Sequence, residues 1–210
     1  MPVERNRESN KRGFGVLLRE EILAAADRLL TESGTGEAVT LRAIAREANI
    51  AAPSIYPHFP NRDAILDAVV DRTFTLLATA CREASEGLTD GRTRVEAISL
   101  AYVDFAREHP GKYRTLFERS APNIASPPHP YPAGIQAFDL LVQALTAAEF
   151  GTRSSGVDVQ ARAQTLFATL HGIAVLPPAL PGFPWAPQTT LTRLAASQAC
   201  RAHSEPESNA

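Results

Sequence analysis

Apolar residues recur every three or four positions along almost the whole chain, and this spacing constrains the fold more than any other feature. In the first such segment it places Ile22, Ala26 and Leu29 on one face, as in an amphipathic α-helix. No stretch of any length alternates apolar and polar residues in the manner of a half-buried strand. An all-α fold is therefore predicted. The predicted helices cover about 16–33, 41–48, 51–56, 62–86, 93–109, 111–119, 133–150, 157–176 and 188–202.

Breaks between these helices are marked by local signals. Gly34 and Gly36 end the first helix. Thr40 and Asn61 are predicted N-caps of the helices that follow them, and Asn49 is predicted to adopt a positive φ in a tight turn. Proline runs at 122–132 and 177–187 exclude helix interiors and central strands. Both runs are expected to be loops, either plain connectors or covers over a pocket.

Composition limits the class of protein. A chain of 210 residues with 44% hydrophobic residues buries a core without disulfides or metal. The two cysteines, Cys81 and Cys200, lie far apart and outside any C-x-x-C motif, so we expect a reduced, cytoplasmic protein with no metal and no cofactor. No apolar run approaches the roughly 18 residues of a membrane span, and the N-terminus lacks the apolar region of a secretory signal.

Positive charge is concentrated in the N-terminal third, although the formal net charge is −2. The first 19 residues hold five basic and two acidic side chains, and residues 42–62 hold three and one. Such a distribution favours a nucleic-acid partner, although imbalances of this size also arise by chance.

Two short helices joined by a turn, between longer helices, form a helix-turn-helix pattern. The second offers small or hydrogen-bonding side chains of the kind that fit the major groove. Arg42 is expected to fork onto a guanine or a phosphate, and Arg62 to hold another phosphate. Tyr56 and His58 are expected to donate to phosphates, or else to pack on the core. The candidate DNA-binding residues are Thr40, Leu41, Arg42, Ala52, Pro53, Ser54, Tyr56, Pro57, His58 and Arg62.

Residues 40–70, TLRAIAREANIAAPSIYPHFPNRDAILDAVV, resemble the DNA-binding signature of the TetR (tetracycline repressor-like) regulators. The shared pattern includes the Thr40 cap, the Ile44–Ala45 pair and the Ser-Ile-Tyr-x-His-Phe run at 54–59. With the first helix, the resemblance covers roughly the first 75 residues and implies the DNA contacts named above. Asn49 stands where glycine is usual in the family, and Pro57 stands where a larger or basic side chain is common.

Segments 105–117 and 166–172 resemble the family's C-terminal domain of the type named for a Trp-His-Gly motif, with Leu170 in place of the tryptophan. The resemblance implies a ligand pocket between helices and a homodimer built from the last two helices, here 160–176 and 189–202. Candidate ligand-binding residues are Phe74, Tyr102, Phe105, Tyr113, Phe117, Phe138, Phe167 and His171, each of which has plain core packing as its alternative. Tyr102, Tyr113 and His171 are the expected polar anchors for a neutral or weakly charged, largely apolar effector.

Four segments are expected: a flexible basic arm (1–15), a helix-turn-helix domain (16–62), a ligand-binding and dimerisation domain (63–203) and a disordered tail (204–210). The sequence predicts a transcriptional regulator that binds a palindromic operator as a homodimer, most simply a repressor released by the effector. An effector-independent adaptor or an activator is the alternative. An enzyme is not expected, because no recognisable catalytic or phosphate-binding motif occurs.

Overall fold

The computed structural model describes residues 14–120, 132–148 and 156–201. Within these ranges the chain is all-α and contains no strand, which confirms the predicted fold class. The α-helices are α1 (Phe14–Ser33), α2 (Leu41–Glu47), α3 (Arg62–Ser85), α4 (Gly91–Glu108), α5 (Pro110–Ser120), α6 (Pro132–Ala148), α7 (Gly156–Ala179) and α8 (Gln188–Ala199), with 3-10 turns at Gly36–Ala38 and Ala52–Ile55.

The N-terminal unit is built from α1, α2, the second 3-10 turn and the start of α3. Two side chains define where its helices begin: Thr40 Oγ1 accepts from the Ala43 amide at 3.1 Å, and Asn61 Oδ1 accepts from the Ala64 amide at 2.8 Å. Both are the predicted N-caps, which satisfy amides that the helix itself leaves open. The unit's core residues are Ile22, Leu23, Ala25, Ala26, Leu30, Val39, Ile44, Ala45, Ile55, Phe59, Ile65, Leu66 and Val69.

The turn after α2 has the predicted left-handed conformation, with a φ of 53° at Asn49. The element that follows is shorter than predicted, because a four-residue 3-10 turn replaces a six-residue α-helix. Pro57 has no amide N–H with which to make an α-helical bond to the Pro53 carbonyl. The turn instead closes with i→i+3 bonds, such as Ser54 N–H to the Ala51 carbonyl at 2.9 Å.

The long helix α3 contributes to two separate cores. Its first turns bury Ile65 and Val69 in the N-terminal unit, whereas Val70 and Leu77 lie in a second core with α4, α5, α6, α7 and α8. The two units are thus joined by one continuous helix rather than by a loop. Both cysteines lie in the second core as free thiols, and burial raises the pKa of Cys81 to about 12.

Helix α7 continues three residues beyond its predicted end and includes Pro177 and Pro178. The prediction that Pro177 opens a loop was wrong, because the bond from the Leu180 amide to the Leu176 carbonyl, 2.9 Å long, keeps the last turn helical. The Ile173 carbonyl, which Pro177 deprives of its amide partner, accepts instead from Gln188 Nε2 at 2.9 Å. Gln188, the first residue of α8, therefore replaces the hydrogen bond that α7 loses at Ile173.

Helix α4 begins two residues earlier than predicted, after an N-cap that the sequence reasoning missed. Asp90 Oδ2 accepts from the hydroxyl of Thr93 at 2.7 Å and from its amide at 2.8 Å. These bonds hold the pKa of the Asp90 carboxyl below its usual range.

Several predictions fall outside the described ranges: most of the basic arm, the first proline run up to residue 131, the loop at 151–155 and the C-terminal tail. Pro132, the last proline of that first run, begins α6. Among the helices that are described, none is long and apolar enough to cross a membrane.

Candidate DNA-binding surface and effector cavity

The candidate DNA-binding residues surround the turn between α2 and the second 3-10 helix. Thr40, Arg42, Pro53 and Pro57 are exposed, and Tyr56 is 58% exposed. Half-buried beside them lie Leu41, Ala52, Ser54, His58 and Arg62. Ile55 and Phe59 alternate with these residues and point into the core. The turn therefore fixes its inner side by packing and presents its small and polar side chains outward.

Arg62 has partners within the protein. Its Nε donates to the Val39 carbonyl at 2.7 Å, and its Nη2 donates to the Gly36 carbonyl. These bonds hold the loop that precedes Thr40, the N-cap of α2. A phosphate contact by Arg62 stays a prediction, and the residue has a clear positioning role for the loop and the cap.

Two basic side chains extend this surface, and the sequence reasoning did not include either among the DNA-binding candidates. Arg46 is exposed on α2, one turn after Arg42, and i,i+4 spacing could have placed the two on one face. Arg19 on α1 lies over the Phe59 ring, with 4.8 Å from its guanidinium carbon to the ring centroid. No local pattern could have brought Arg19 to Phe59, because 40 positions separate them.

A cavity of about 780 Å³ lies between α4, α5, the end of α7 and the start of α8. Three predicted ligand-binding residues, Tyr113, Phe117 and His171, line it. Both helix-interior prolines contribute to its wall, so the start of the second proline run does border a pocket. The other lining residues are Ala106, Arg107, Pro110, Arg114, Ala174, Val175, Ala179 and Gln188.

The three predicted polar anchors form one hydrogen-bonded chain. The Tyr113 hydroxyl lies 2.8 Å from the Tyr102 hydroxyl and 2.8 Å from Nδ1 of His171. Burial lowers the pKa of His171 and raises the pKa of both tyrosines. The lowered pKa favours a neutral imidazole, and the Tyr113 hydroxyl is the middle member that bonds both His171 and the buried Tyr102. Two of the three groups face the cavity, and the third supports them from behind.

The remaining five predicted ligand-binding residues do not line this cavity. Phe105 is buried and lies against His109, with a ring separation of 4.8 Å. Tyr102, Phe138 and Phe167 form edge-to-face contacts at 5.9–6.1 Å between centroids. Phe74 packs on Gly134, where a Cβ would lie 3.1 Å from the ring. All five belong to the second core or pack against it, so they contribute to packing and not to the surface of this cavity.

Two charged side chains lie at the cavity. Arg107 and Arg114 both line it and both are exposed. Arg107 Nη2 donates to Asp104 at 2.8 Å. The two arginines lie on successive helices, α4 and α5, so their proximity depends on the turn at His109 and Pro110.

Helix α5 touches both the cavity and the N-terminal unit. Its residues Pro110 and Tyr113 line the cavity. Between them, Gly111 packs so closely on α1 that a Cβ would lie 2.4 Å from the Leu30 carbonyl oxygen. Lys112 Nζ pairs with Asp27 Oδ2 at 3.4 Å, and each side chain is only 17% exposed. A displacement of α5 would therefore reach α1 directly.

The two helices predicted to form the dimer surface bury most of their large apolar residues within the chain itself. Leu166, Leu170 and Ile173 of α7 belong to the second core. The outer faces instead expose Leu176 and Leu194, by 44% and 51%, beside small or polar residues. These include Ala161, Gln164, Thr165, Ala168, Thr169, Ser197 and Gln198. Arg162 Nε, which donates to the Ala199 carbonyl at 2.9 Å, fixes α8 on α7.

Comparison with known proteins identifies two matching family models. Residues 22–69 match the model described as "Bacterial regulatory proteins, tetR family". Residues 95–197 match the model described as "Tetracyclin repressor-like, C-terminal domain". The first covers the helix-turn-helix unit, and the second covers α4 to α8, including the cavity.

Individual relatives agree with these models. HTH-type transcriptional activator FasR of Mycolicibacterium smegmatis is 28% identical over 162 residues, which are 75% of this chain and 68% of that protein. A solved structure of a protein of unknown function from Rhodococcus sp. RHA1 has a TM-score of 0.75 at 28% identity and covers 94% of this chain and 97% of that one. FadR from Bacillus subtilis in complex with stearoyl-CoA has a TM-score of 0.63 at 14% identity, covering 86% and 97%. The chain described here belongs to the TetR family of bacterial transcription regulators.

Proposed function

We propose that the protein is a homodimeric repressor that binds a palindromic operator through the surface around Arg42 and Tyr56 and leaves it when an effector fills the cavity. The observation that carries this proposal is the position of α5. One short helix lines the cavity with Tyr113 and packs on α1 with Gly111. Effector binding and DNA binding thus share a structural element, as coupling between two sites requires.

The effector that fits the cavity is largely apolar and carries a polar or negatively charged group. Ala174, Val175 and Pro178 provide apolar walls, whereas Arg114 and Arg107, which is paired with Asp104 and Glu108, add hydrogen-bond donors. The sequence predicted a neutral or weakly charged, largely apolar effector, and this lining extends that class to effectors with an anionic group. FadR of Bacillus subtilis, whose fold is similar, was solved with stearoyl-CoA, a long apolar chain attached to an anionic group. Its ligand has the chemical character that this cavity favours.

A two-fold dimer supplies a second helix-turn-helix unit for the other half of a palindromic operator. Members of the TetR family bind operator DNA and usually dimerise. One helix-turn-helix unit buries too little DNA surface for tight specific binding, and two-fold proteins read half-sites about 34 Å apart, or multiples of that distance. The exposed faces of α7 and α8, which include Leu176 and Leu194, are the proposed contact.

Activation of transcription, the alternative to repression, is supported by one relative. FasR, which is 28% identical over its matched region, is named an activator. An activator would use the same DNA surface and cavity but would raise transcription when bound. The fold alone does not distinguish the two, because both need only one conformation to bind the operator more tightly.

Transcription from the promoter next to the protein's own coding sequence distinguishes repression from activation. With purified RNA polymerase, a repressor lowers the transcript level and an effector restores it. Candidate effectors come from a thermal-shift screen of apolar compounds with and without acidic groups. A hit should weaken operator binding about 5- to 150-fold, and operator DNA should weaken its binding by the same factor. Higher transcription with protein alone would establish the activator instead, and an effect on neither transcription nor DNA binding would refute both.

A further inference from the structure

Pro177 and Pro178 interrupt the hydrogen-bond ladder of α7 at the cavity wall. Proline lacks an amide N–H, so each one deprives the carbonyl four residues earlier of its helical donor. The carbonyls affected are those of Ile173 and Ala174. Since α7 continues to Ala179, both lie inside a helix, where carbonyl groups are normally paired.

These two carbonyls have different surroundings. The Ile173 carbonyl accepts from Gln188 Nε2 at 2.9 Å, which shows that the freed groups take donors from outside the helix. Ala174 and Pro178 both line the cavity. The bond that Pro178 removes would have joined these two residues, so the site of the missing donor is on the cavity face. Around it the wall is largely apolar, with Val175 and Pro177 as neighbours.

We propose that the Ala174 carbonyl is a recognition point for the effector and accepts a hydrogen bond from an O–H or N–H group on it. This inference rests on the proposed function, because it assumes that the cavity holds the effector. When an apolar ligand fills the cavity and displaces water, a carbonyl that faces the ligand without a donor is costly. A site of this kind discriminates strongly against ligands of equal size that lack the donor. The effector class is thereby narrowed to amphiphiles with a hydroxyl or amide group beside an apolar chain.

Two isomeric probes isolate hydrogen-bond donation from every other property. Decanol and 1-methoxynonane contain the same atoms and both accept hydrogen bonds, but only the alcohol donates one. Calorimetric titration of the full-length protein should show about three- to tenfold tighter binding of decanol, the range expected for one hydrogen bond. The carbonyl ¹³C resonance of Ala174 should shift with decanol and not with the ether. Equal affinities, or an unmoved Ala174 resonance, would overturn the proposal.

The variant Pro178→Ala tests whether the proline creates this preference. Alanine restores an amide donor for the Ala174 carbonyl, so the ratio of decanol affinity to 1-methoxynonane affinity should fall to about one, whereas the lost ring contacts of Pro178 act on both probes alike. Pro177→Ala is the matched control, because it leaves the Ala174 carbonyl open and should keep the preference. A preference that survives in Pro178→Ala, or disappears in Pro177→Ala, would contradict the assignment.

Failure of this inference is distinguishable from failure of the proposed function. If both probes bind equally and both weaken operator binding, the cavity is an effector site without donor recognition at Ala174. If neither probe binds, the donor proposal is refuted together with an apolar effector site in this cavity. Operator binding by the unliganded protein is measured separately and is unaffected by either outcome.

Discussion

Asn49 holds the left-handed conformation, with a φ of 53°, that turns the chain from α2 into the 3-10 turn at Ala52–Ile55. Asparagine tolerates this region better than most residues, glycine adopts it freely, and a β-branched side chain is strained there. Asn49→Gly should therefore be neutral or mildly stabilising, whereas Asn49→Val should lower the free energy of unfolding by about 1 kcal/mol or more. Urea unfolding of the two variants gives the comparison, and equal stability of Asn49→Val and the parent would contradict the strain.

Arg42 and Arg62 should behave differently although both are basic residues at the start of a helix. Arg42 is exposed, so Arg42→Ala should weaken operator binding by about 1–3 kcal/mol if it reads a base and leave unfolding unchanged. Arg62 bonds the Val39 and Gly36 carbonyls, so Arg62→Ala should lower stability as well as DNA affinity. Fluorescence anisotropy and urea unfolding of both variants separate the two roles. A fully stable Arg62→Ala would show that the loop does not depend on these bonds.

The structural roles of single residues could be predicted from sequence where they depend on close neighbours in the chain. The caps Thr40 and Asn61 and the turn residue Asn49 each act within three residues of their own position, so residue type and spacing were sufficient. The partners of Arg62 lie 23 and 26 positions away, and those of Arg19 lie further still. Such contacts depend on how α1 and α3 pack, which no local pattern encodes.

At the level of whole helices, the junction of α5 with α1 depends on the missing side chain of Gly111. A Cβ there would meet the Leu30 carbonyl oxygen at 2.4 Å, and the backbone cannot move aside cheaply. Gly111→Ala should lower the free energy of unfolding by about 1–3 kcal/mol and change operator affinity. Gly182→Ala is the control, since a Cβ at that position meets nothing within 4 Å. Thermal unfolding of both variants is decisive, because equal melting temperatures would mean that α5 and α1 are not tightly packed.

The link between α5 and α7 through His171 should make stability depend on pH. Burial lowers the pKa of His171 in the folded state, so the unfolded chain binds this proton more readily. The resulting stabilisation is complete above the unfolded pKa of about 6.5 and is lost as the pH falls below it. Between pH 7.5 and 5.5 the parent should lose more stability than His171→Gln, which keeps an acceptor for Tyr113 but does not titrate. Parallel pH profiles would contradict a desolvated imidazole.

Helix positions were largely predictable, and the two clear errors both involve proline. The element at Ala52–Ile55 is a 3-10 turn because Pro57 cannot close an α-helical bond. Helix α7 passes through Pro177 and Pro178 because Gln188 compensates one carbonyl from another helix. For the 3-10 turn, the effect of proline on the preceding turn was underestimated. For α7, a contact from another helix outweighed the local tendency of proline to end a helix.

For the whole molecule, the dimer proposal predicts which exposed leucines matter. Leu176 and Leu194 are exposed on α7 and α8, and Leu76 is exposed to a similar degree on α3. The double variant Leu176→Glu/Leu194→Glu should be monomeric at micromolar concentration and bind the operator much more weakly. Leu76→Glu should behave as the parent does. Light scattering with anisotropy measures both properties, and a double variant that remains dimeric would place the interface elsewhere.

The all-α class and the division into a DNA-binding unit and a larger helical unit follow from apolar spacing and motif alone. The length of the shared helix also follows, because its apolar face runs without a break from Ile65 to Leu77. The cavity's charge could not be predicted, since Arg107 and Arg114 meet only after α4 and α5 fold back on each other. The small exposed apolar area of α7 and α8 could not be predicted either, because most of their apolar residues are buried in the second core.

Sequence-specific DNA binding through the helix-turn-helix is tested most directly by fluorescence anisotropy. The labelled duplex is taken from DNA upstream of the protein's own coding sequence and is titrated across a salt series. The parent should bind this duplex more tightly than a scrambled duplex, and its affinity should fall as the salt concentration rises. Arg42→Ala/Ser54→Ala should reduce this affinity at least tenfold. Arg82→Ala, which removes an exposed charge at the far end of α3, should not. Equal binding of the scrambled duplex, or unchanged affinity in the double variant, would contradict sequence-specific binding through this helix-turn-helix.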